Sequence, residues 1–233
     1  MSLFRFQQFA LLHANNGMKI GTDGTLLGAW TPLPQDTTSV LDIGTGTGLL
    51  AFMLAQRLPQ AHVVGIDPSA INTEEAKENL KLNSAFSDRI SVLQTRLQDF
   101  EPDGKFDGII CNPPFYQDKL SSESENRDLA RNLKHLPPEE LFTSSFRLIN
   151  EAGWMSTIVP YEILDRTLQA GTKAGFHLKA CCLVKGRAAK PPKRALLHFV
   201  KMPCKPEESM LVLESDHRKK SKEFSDLLSD FLL

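Results

Sequence analysis

Residues 39–48 read Ser39-Val40-Leu41-Asp42-Ile43-Gly44-Thr45-Gly46-Thr47-Gly48, and the apolar stretch 49–58 follows before Pro59. A short apolar run rich in β-branched residues, then alternate glycines, then a helix-length apolar stretch describes a buried strand turning into a helix. Glycines at such a turn let backbone approach a ligand closely, and the helix N-terminus adds partial positive charge. In the dinucleotide fingerprint Gly-x-Gly-x-x-Gly two residues separate the last glycines; here the third arrives one residue early. Asp42 also precedes Gly44 by two positions. A carboxylate directed into the loop suits a ligand with a cationic amino-acid end better than a pyrophosphate.

Outward from that turn, strand-like and helix-like segments alternate. Residues 63–66 (VVGI) read as a second strand, and Ser69 is placed to cap a helix that runs to 82. Residues 90–93 give a third strand and 106–111 (FDGIIC) a fourth, stopped by Pro113-Pro114. Leu141, Phe142, Phe146 and Ile149 share one helical face, with Gly153 as the expected stop and 154–159 as a fifth strand. Residues 176–184 and 195–201 then form consecutive strands with no helix between them, and 224–232 return to helical spacing. The pattern predicts an α/β fold: a mostly parallel seven-stranded sheet with one antiparallel strand and helices on both faces. No composition break divides the chain, so one domain spans 1–233, with 1–35 as an N-terminal arm on a core at 36–233.

Asp67 closes the second strand, where a carboxylate can accept both hydroxyls of a ribose. With Asp42 and Gly44, Gly46 and Gly48, it points to S-adenosylmethionine, which joins a cationic amino-acid end to an adenosine, and so to a Rossmann-like methyltransferase fold. At the end of the fourth strand stands Asn112-Pro113-Pro114-Phe115. Two prolines remove backbone donors and stiffen the turn. The Asn112 amide oxygen and the Pro113 carbonyl are then placed to accept both hydrogens of one planar –NH2 group, while Phe115 offers a face on which a base stacks. Two acceptors on a conjugated amine localise its lone pair and stabilise the charge that develops on nitrogen during attack.

The glycine loop and the Asn-Pro-Pro-Phe turn resemble those of amino-methyltransferases acting on adenine, guanine or glutamine nitrogens. The string Met18-Lys19-Ile20-Gly21-Thr22-Asp23-Gly24-Thr25-Leu26-Leu27-Gly28-Ala29-Trp30, with Phe6-Gln7-Gln8-Phe9, is similar to the bacterial tRNA1(Val) (adenine(37)-N6)-methyltransferase family. The similarity extends through 127–131, Gly153, Pro160 and the tail 224–233. It implies N6-methylation of adenine 37, beside the anticodon of a valine tRNA. It also implies a catalytic role for Asn112, Pro113, Pro114 and Phe115, ribose binding by Asp67, and a cofactor-covering loop at Thr22-Asp23. Taken alone, Gly21-Thr22-Asp23-Gly24 also reads as a polar turn. One departure stands after the third strand. Where relatives often carry an acid for the cofactor's adenine, this chain has Arg96, leaving the Leu97 backbone amide as the contact and Asp99 three residues on.

The whole chain holds 233 residues, 27 basic and 28 acidic, for a net charge of −1. That total conceals an asymmetry. Between 185 and 206 lie seven basic residues and no acid, so the remainder carries −8. Lys185, Arg187, Lys190, Lys193 and Arg194 cluster at the tip between the last two strands, a pattern suited to RNA phosphates. The apolar run 49–55 is far too short to span a bilayer. No Cys-x-x-Cys pair occurs among the four cysteines, which argues for a reduced, cytoplasmic chain without a metal ribbon. A monomer is the default state. Competing readings are a ribosomal RNA (guanine-N2 or adenine-N6) methyltransferase, a protein-glutamine methyltransferase, and an RNA-binding module whose cofactor site has decayed.

Overall fold

A computed structural model describes residues 2–13, 21–113, 136–216 and 219–232. The arm contains a hairpin of β1 (Ser2–Arg5) and β2 (Ala10–His13), then α1 (Thr22–Trp30). The alternating core follows as β3 (Ser39–Ile43), α2 (Leu49–Arg57), β4 (His62–Asp67), α3 (Ala70–Leu82), β5 (Ile90–Gln94) and β6 (Phe106–Cys111). Beyond it come α4 (Pro138–Leu148), β7 (Ile149–Pro160), α5 (Leu164–Ala174), β8 (His177–Arg187), β9 (Arg194–Val200), β10 (Glu207–Asp216), β11 (Lys219–Lys220) and α6 (Lys222–Leu227).

The large sheet runs β11-β10-β8-β9-β7-β6-β3-β4-β5. Its stretch from β8 to β5 is the expected seven strands, with β9 antiparallel to both neighbours and every other strand in that stretch parallel to the rest. Two more strands extend it. β10 pairs in parallel with β8 from Glu207↔Ala180 to Glu214↔Arg187, and β11 folds back on its end. Its opening Glu-Glu-Ser carries no apolar signal because β10 lies near the sheet's margin with its first four residues exposed.

Gly153 is not a helix stop. β7 begins at Ile149, directly after α4, and its register against β6 slips between Phe106↔Ile149 and Gly108↔Trp154. A methyl group on Gly153 would lie 2.5 Å from Ile149 Cγ1 and 2.9 Å from the Asp107 carbonyl, so the glycine permits a bulge where backbone crowds backbone. Side chains that alternate along the strands feed two cores. Val40, Ile110 and Leu196 face α1 and α2, while Leu41, Ile109 and Leu197 lie in a cluster with Leu141 and Phe142 of α4.

Side-chain amides dock the arm. Asn79 of α3 accepts from the Leu12 amide at 2.7 Å and donates to the Leu12 carbonyl at 3.1 Å. One turn on, Asn83 does the same for Ala10 at 2.9 and 2.7 Å. These amides act as strand partners for the outer edge of β2. The chain's other end closes on the same hairpin, where Gln7 N donates to the Phe231 carbonyl at 2.9 Å. Among the described residues no helix is long and apolar enough to cross a membrane.

Candidate active site at the carboxyl edge of the sheet

The carboxyl ends of the parallel strands β3, β4, β6 and β7 meet along one edge, where open α/β sheets bind ligands. The glycine loop leaves β3 with φ of 73°, 55° and 88° at Gly44, Gly46 and Gly48, values that side-chain-bearing residues rarely adopt. Added Cβ atoms at Gly44 and Gly46 would meet open space, apart from the Gly44 carbonyl 3.9 Å from the second. At Gly48, the N-cap of α2, the Cβ would press on Phe52 of the same helix at 3.2 Å, so the space there is already filled. All three glycine amides are already engaged, to the Ile66 carbonyl at 2.8 Å, Asp67 Oδ2 at 3.1 Å and the Thr45 carbonyl at 2.8 Å. The loop therefore offers a ligand close approach rather than glycine N–H donors.

Asp42 lies beneath this loop, fully buried. Its Oδ2 accepts from Thr45 Oγ at 2.7 Å, and its Oδ1 is buried with no partner. Burial pushes its pKa up to about 7, against the Thr45 hydroxyl and the Ala51 amide, which lower it. Sealed from solvent, this carboxyl offers no open surface to a ligand above the loop. Cys111, at the end of β6, is buried beside it. Burial first and the Asp42 charge second hold its thiol well above the usual range, so it is a poor nucleophile.

Asp67 ends β4 with 5% exposure and a crowded carboxylate. Gly46 N donates to Oδ2, Ser69 N to Oδ1 at 2.9 Å, and Asn72 Nδ2 bridges both oxygens at 3.1 and 3.2 Å. Ribose hydroxyls reaching this carboxylate would take the acceptor positions that the Asn72 amide holds. Leu97 is buried in a 3-10 turn (Leu97–Asp99) just past β5, while Arg96 and Asp99 are exposed. The first residue of that connection, Thr95, donates its amide to the Asp67 carbonyl at 3.1 Å, which keeps the turn beside β4.

Asn112 and Pro113 directly follow β6; Asn112 is half-buried and Pro113 buried. Pro114 and Phe115 lie outside the described residues, as do residues 127–131 and 18–20. The first turn of α1 sits against Asn112. A Cβ on Gly24 would fall 3.7 Å from Asn112 Nδ2 and 3.0 Å from Leu49 Cδ2. Thr22 is exposed and Asp23 half-buried at that same turn.

The basic hairpin reaches the same edge, because β9 starts where β7 ends, with Arg194 opposite Pro160. Its charges fall into two groups. Arg187 Nε donates to Glu214 at 3.0 Å, and Arg194 Nε to Asp23 Oδ2 at 2.7 Å. Lys190 and Lys193 are exposed, and Lys185 is half-buried. Three residues here escaped the sequence reading. Tyr161, 42% exposed, follows Pro160 and donates its amide to the Lys193 carbonyl at 3.1 Å. Asn72 holds Asp67, and Asn79 reaches from α3 to the Thr47 carbonyl at 3.0 Å, tying the arm to the glycine loop. Only the Asn72 position, three residues after a helix cap and five after Asp67, carried a local signal.

S-adenosylmethionine fits this donor set. The cradle at Gly44 and Gly46 is open, Asp67 stands at the strand tip, and Asp42, its pKa raised to about 7, would ionise more readily beneath a ligand bearing sulfonium and ammonium groups. Among the described residues no three His, Cys, Asp or Glu side chains gather as metal ligands.

The methyltransferase small domain family matches residues 16–139. A Flavobacterium psychrophilum protein named tRNA1(Val) (adenine(37)-N6)-methyltransferase is 38% identical over 233 residues, covering 99% of both chains. A Vibrio campbellii protein of the same name is 35% identical, over 99% of this chain and 95% of its own. Among solved structures, a predicted O-methyltransferase from Agrobacterium tumefaciens superposes with a TM-score of 0.69 at 21% identity, covering 90% of this chain and 96% of its own. Its agreement is one of fold, and the near full-length sequence relatives supply the rest: the chain belongs to the tRNA1(Val) (adenine(37)-N6)-methyltransferase family.

Proposed function

We propose that this protein methylates the exocyclic N6 of adenine 37 in a valine tRNA, with S-adenosylmethionine as methyl donor. The observation that carries the reading is the convergence at one sheet edge of three features: the open glycine cradle with Asp67, the Asn112-Pro113 turn, and the basic hairpin. The near full-length relatives bearing that name support the substrate.

When bound, S-adenosylmethionine supplies an electrophilic methyl on sulfur. Asp67 would hold its ribose, Gly44 and Gly46 would admit its backbone-hugging portion, and Thr22, Asp23 and Leu97 would cover its ends. The Asn112 amide oxygen and the Pro113 carbonyl accept the two N6 hydrogens. That geometry turns the nitrogen lone pair toward the incoming carbon and stabilises the charge developing on nitrogen. Phe115 would stack on the adenine after it is turned out of the anticodon stack. The amine loses its proton only after attack, so no general base is needed to start the step. Lys185, Lys190 and Lys193 would meet phosphates.

Methyl transfer to bulk tRNA followed by nucleoside analysis tests this. N6-methyladenosine, lost in tRNA whose adenine 37 is replaced, is the expected product. N2-methylguanosine, or methylglutamine in a protein pool, overturns the assignment. Asn112→Ala should lower turnover by about 10²- to 10³-fold, the usual cost of removing one such acceptor or donor, while S-adenosylhomocysteine still binds.

A further inference from the structure

Arg194 belongs by sequence to the basic strip, yet its guanidinium faces the arm. Nε donates to Asp23 Oδ2 at 2.7 Å across 171 positions of sequence, and Nη1 donates to the Lys193 carbonyl at 2.9 Å. Neither side chain of the pair is on open surface: Arg194 is 21% and Asp23 34% exposed. Half-buried, charge-assisted hydrogen bonds of this length are stronger and less screened than surface pairs. Only arginine can hold an acid with one nitrogen and a neighbouring carbonyl with another in a fixed fork.

What Asp23 is attached to gives the pair its meaning. It lies in the first turn of α1, whose N-cap, Gly21, contributes no side-chain cap. The next residue, Gly24, is buried between Leu49, the first residue after the glycine loop, and the Asn112 amide. A displacement of this turn would therefore open space beside Asn112 and beside the start of α2. At the other end, Arg194 stands opposite Pro160 and immediately follows Lys193, whose carbonyl also receives the Tyr161 amide. The hairpin base, the end of β7 and the first turn of α1 form one connected unit around the catalytic turn.

We propose that Arg194 is a positioning residue rather than a phosphate contact. Through Asp23 it holds the first turn of α1 against Asn112, and thereby couples the RNA-facing hairpin to the catalytic amide. This rests on the tRNA reading above and makes a separable claim. A phosphate contact shows in the KM for tRNA and its salt dependence. A positioning contact shows in kcat, because it acts on the geometry of Asn112 once substrate is bound.

The test compares Arg194→Gln, Arg194→Lys, Asp23→Asn and the exchanged pair Asp23→Arg/Arg194→Asp in tRNA kinetics at several salt concentrations. Hydrogen exchange over residues 21–30 is measured alongside in cofactor-free protein. Arg194→Gln and Asp23→Asn should each lower kcat about tenfold, leave the tRNA KM and its salt slope within about twofold, and speed exchange in the first turn of α1. Arg194→Lys should fall between them and wild type, and the exchanged pair should recover part of the loss. A raised KM with a shallower salt slope and unchanged kcat for Arg194→Gln would overturn the proposal, as would unchanged exchange at 21–25. A wild-type protein inactive on tRNA would overturn the substrate reading, and the exchange measurement would still decide whether the pair holds α1.

Discussion

The glycine loop and the basic hairpin lie at the same edge of the sheet but are built in opposite ways. In the loop the partners belong to the same strand-turn units that carry the motif: Thr45 serves Asp42 three residues away, and Gly46 meets Asp67 at the tip of the adjacent strand β4. In the hairpin the partners of Arg187 and Arg194 are acids outside the basic strip, Glu214 on β10 and Asp23 on α1, the second of them 171 positions away. Local partners make a motif readable as a unit. Distant partners change what a local charge count means, since two of the five basic residues at the tip are each matched to an acid elsewhere. The loop's behaviour should therefore depend on single residues, and the hairpin's on which of its charges remain uncommitted.

The largest expected effect tests the loop. Asp67→Ala removes the acceptor for Gly46 N, Ser69 N and the Asn72 amide together, and deletes the group that would grip ribose. Affinity for S-adenosylhomocysteine should fall about 100-fold, the worth of roughly two charge-assisted hydrogen bonds at about 1.5 kcal/mol each. Calorimetry checks this, and a change below threefold would mean that the carboxylate serves the loop alone.

The same contrast explains how much of the molecule was legible in its sequence. The seven-stranded core followed from apolar runs separated by glycine, serine and proline signals, because each strand buried on both faces must be apolar by itself. β10 was missed because a strand near the sheet's margin can be polar, and Gly153 was misread because a bulge and a helix stop ask for the same residue. At the site, Asp67 and Asn112 were visible as residues at strand ends. Their restraints were not. Asn79, Gly24 and Tyr161 act through contacts that only the tertiary fold creates, and no spacing rule encodes an asparagine on α3 that bonds a carbonyl 32 residues earlier.

For the hairpin, the comparison predicts that its uncommitted lysines carry the RNA attraction. Reversing both Lys190 and Lys193 to Glu should raise the tRNA KM about tenfold. It should also flatten the dependence of log KM on log salt by roughly 1 to 2, the expected share of two phosphate contacts. Cofactor affinity should not change. An unaltered salt slope would move the RNA site off the hairpin.

A smaller effect returns to the loop. With the pKa of Asp42 raised by burial to about 7, the native protein keeps a proton that the unfolded chain has lost above the ordinary value of 3.8. Ionising it in place costs stability progressively from about pH 4 to 7, and the cost is then constant above 7. A cationic ligand favours the ionised form, so binding should release a proton. Affinity for S-adenosylhomocysteine, which keeps the ammonium, should fall about threefold from pH 7.5 to 6.5 for a group titrating near 7. Asp42→Asn should abolish that slope; a slope that survives the substitution assigns it to another group.

The smallest effect is expected at Arg187, and it is the sharpest check on counting charges. Its guanidinium sits 3.0 Å from Glu214 with side chains 44% and 39% exposed, joining the end of β8 to β10. Such surface pairs contribute about 0–1 kcal/mol, so Arg187→Gln should barely move the thermal midpoint. If Glu214 already neutralises this charge, RNA binding there displaces few counterions, and the salt slope should change by less than about 0.5. Glu214→Gln makes the complementary case, because it frees the guanidinium without adding a residue to the hairpin. That variant should steepen the slope and lower the tRNA KM, and if it does neither, pairing to an acid has no bearing on which hairpin charges meet the RNA.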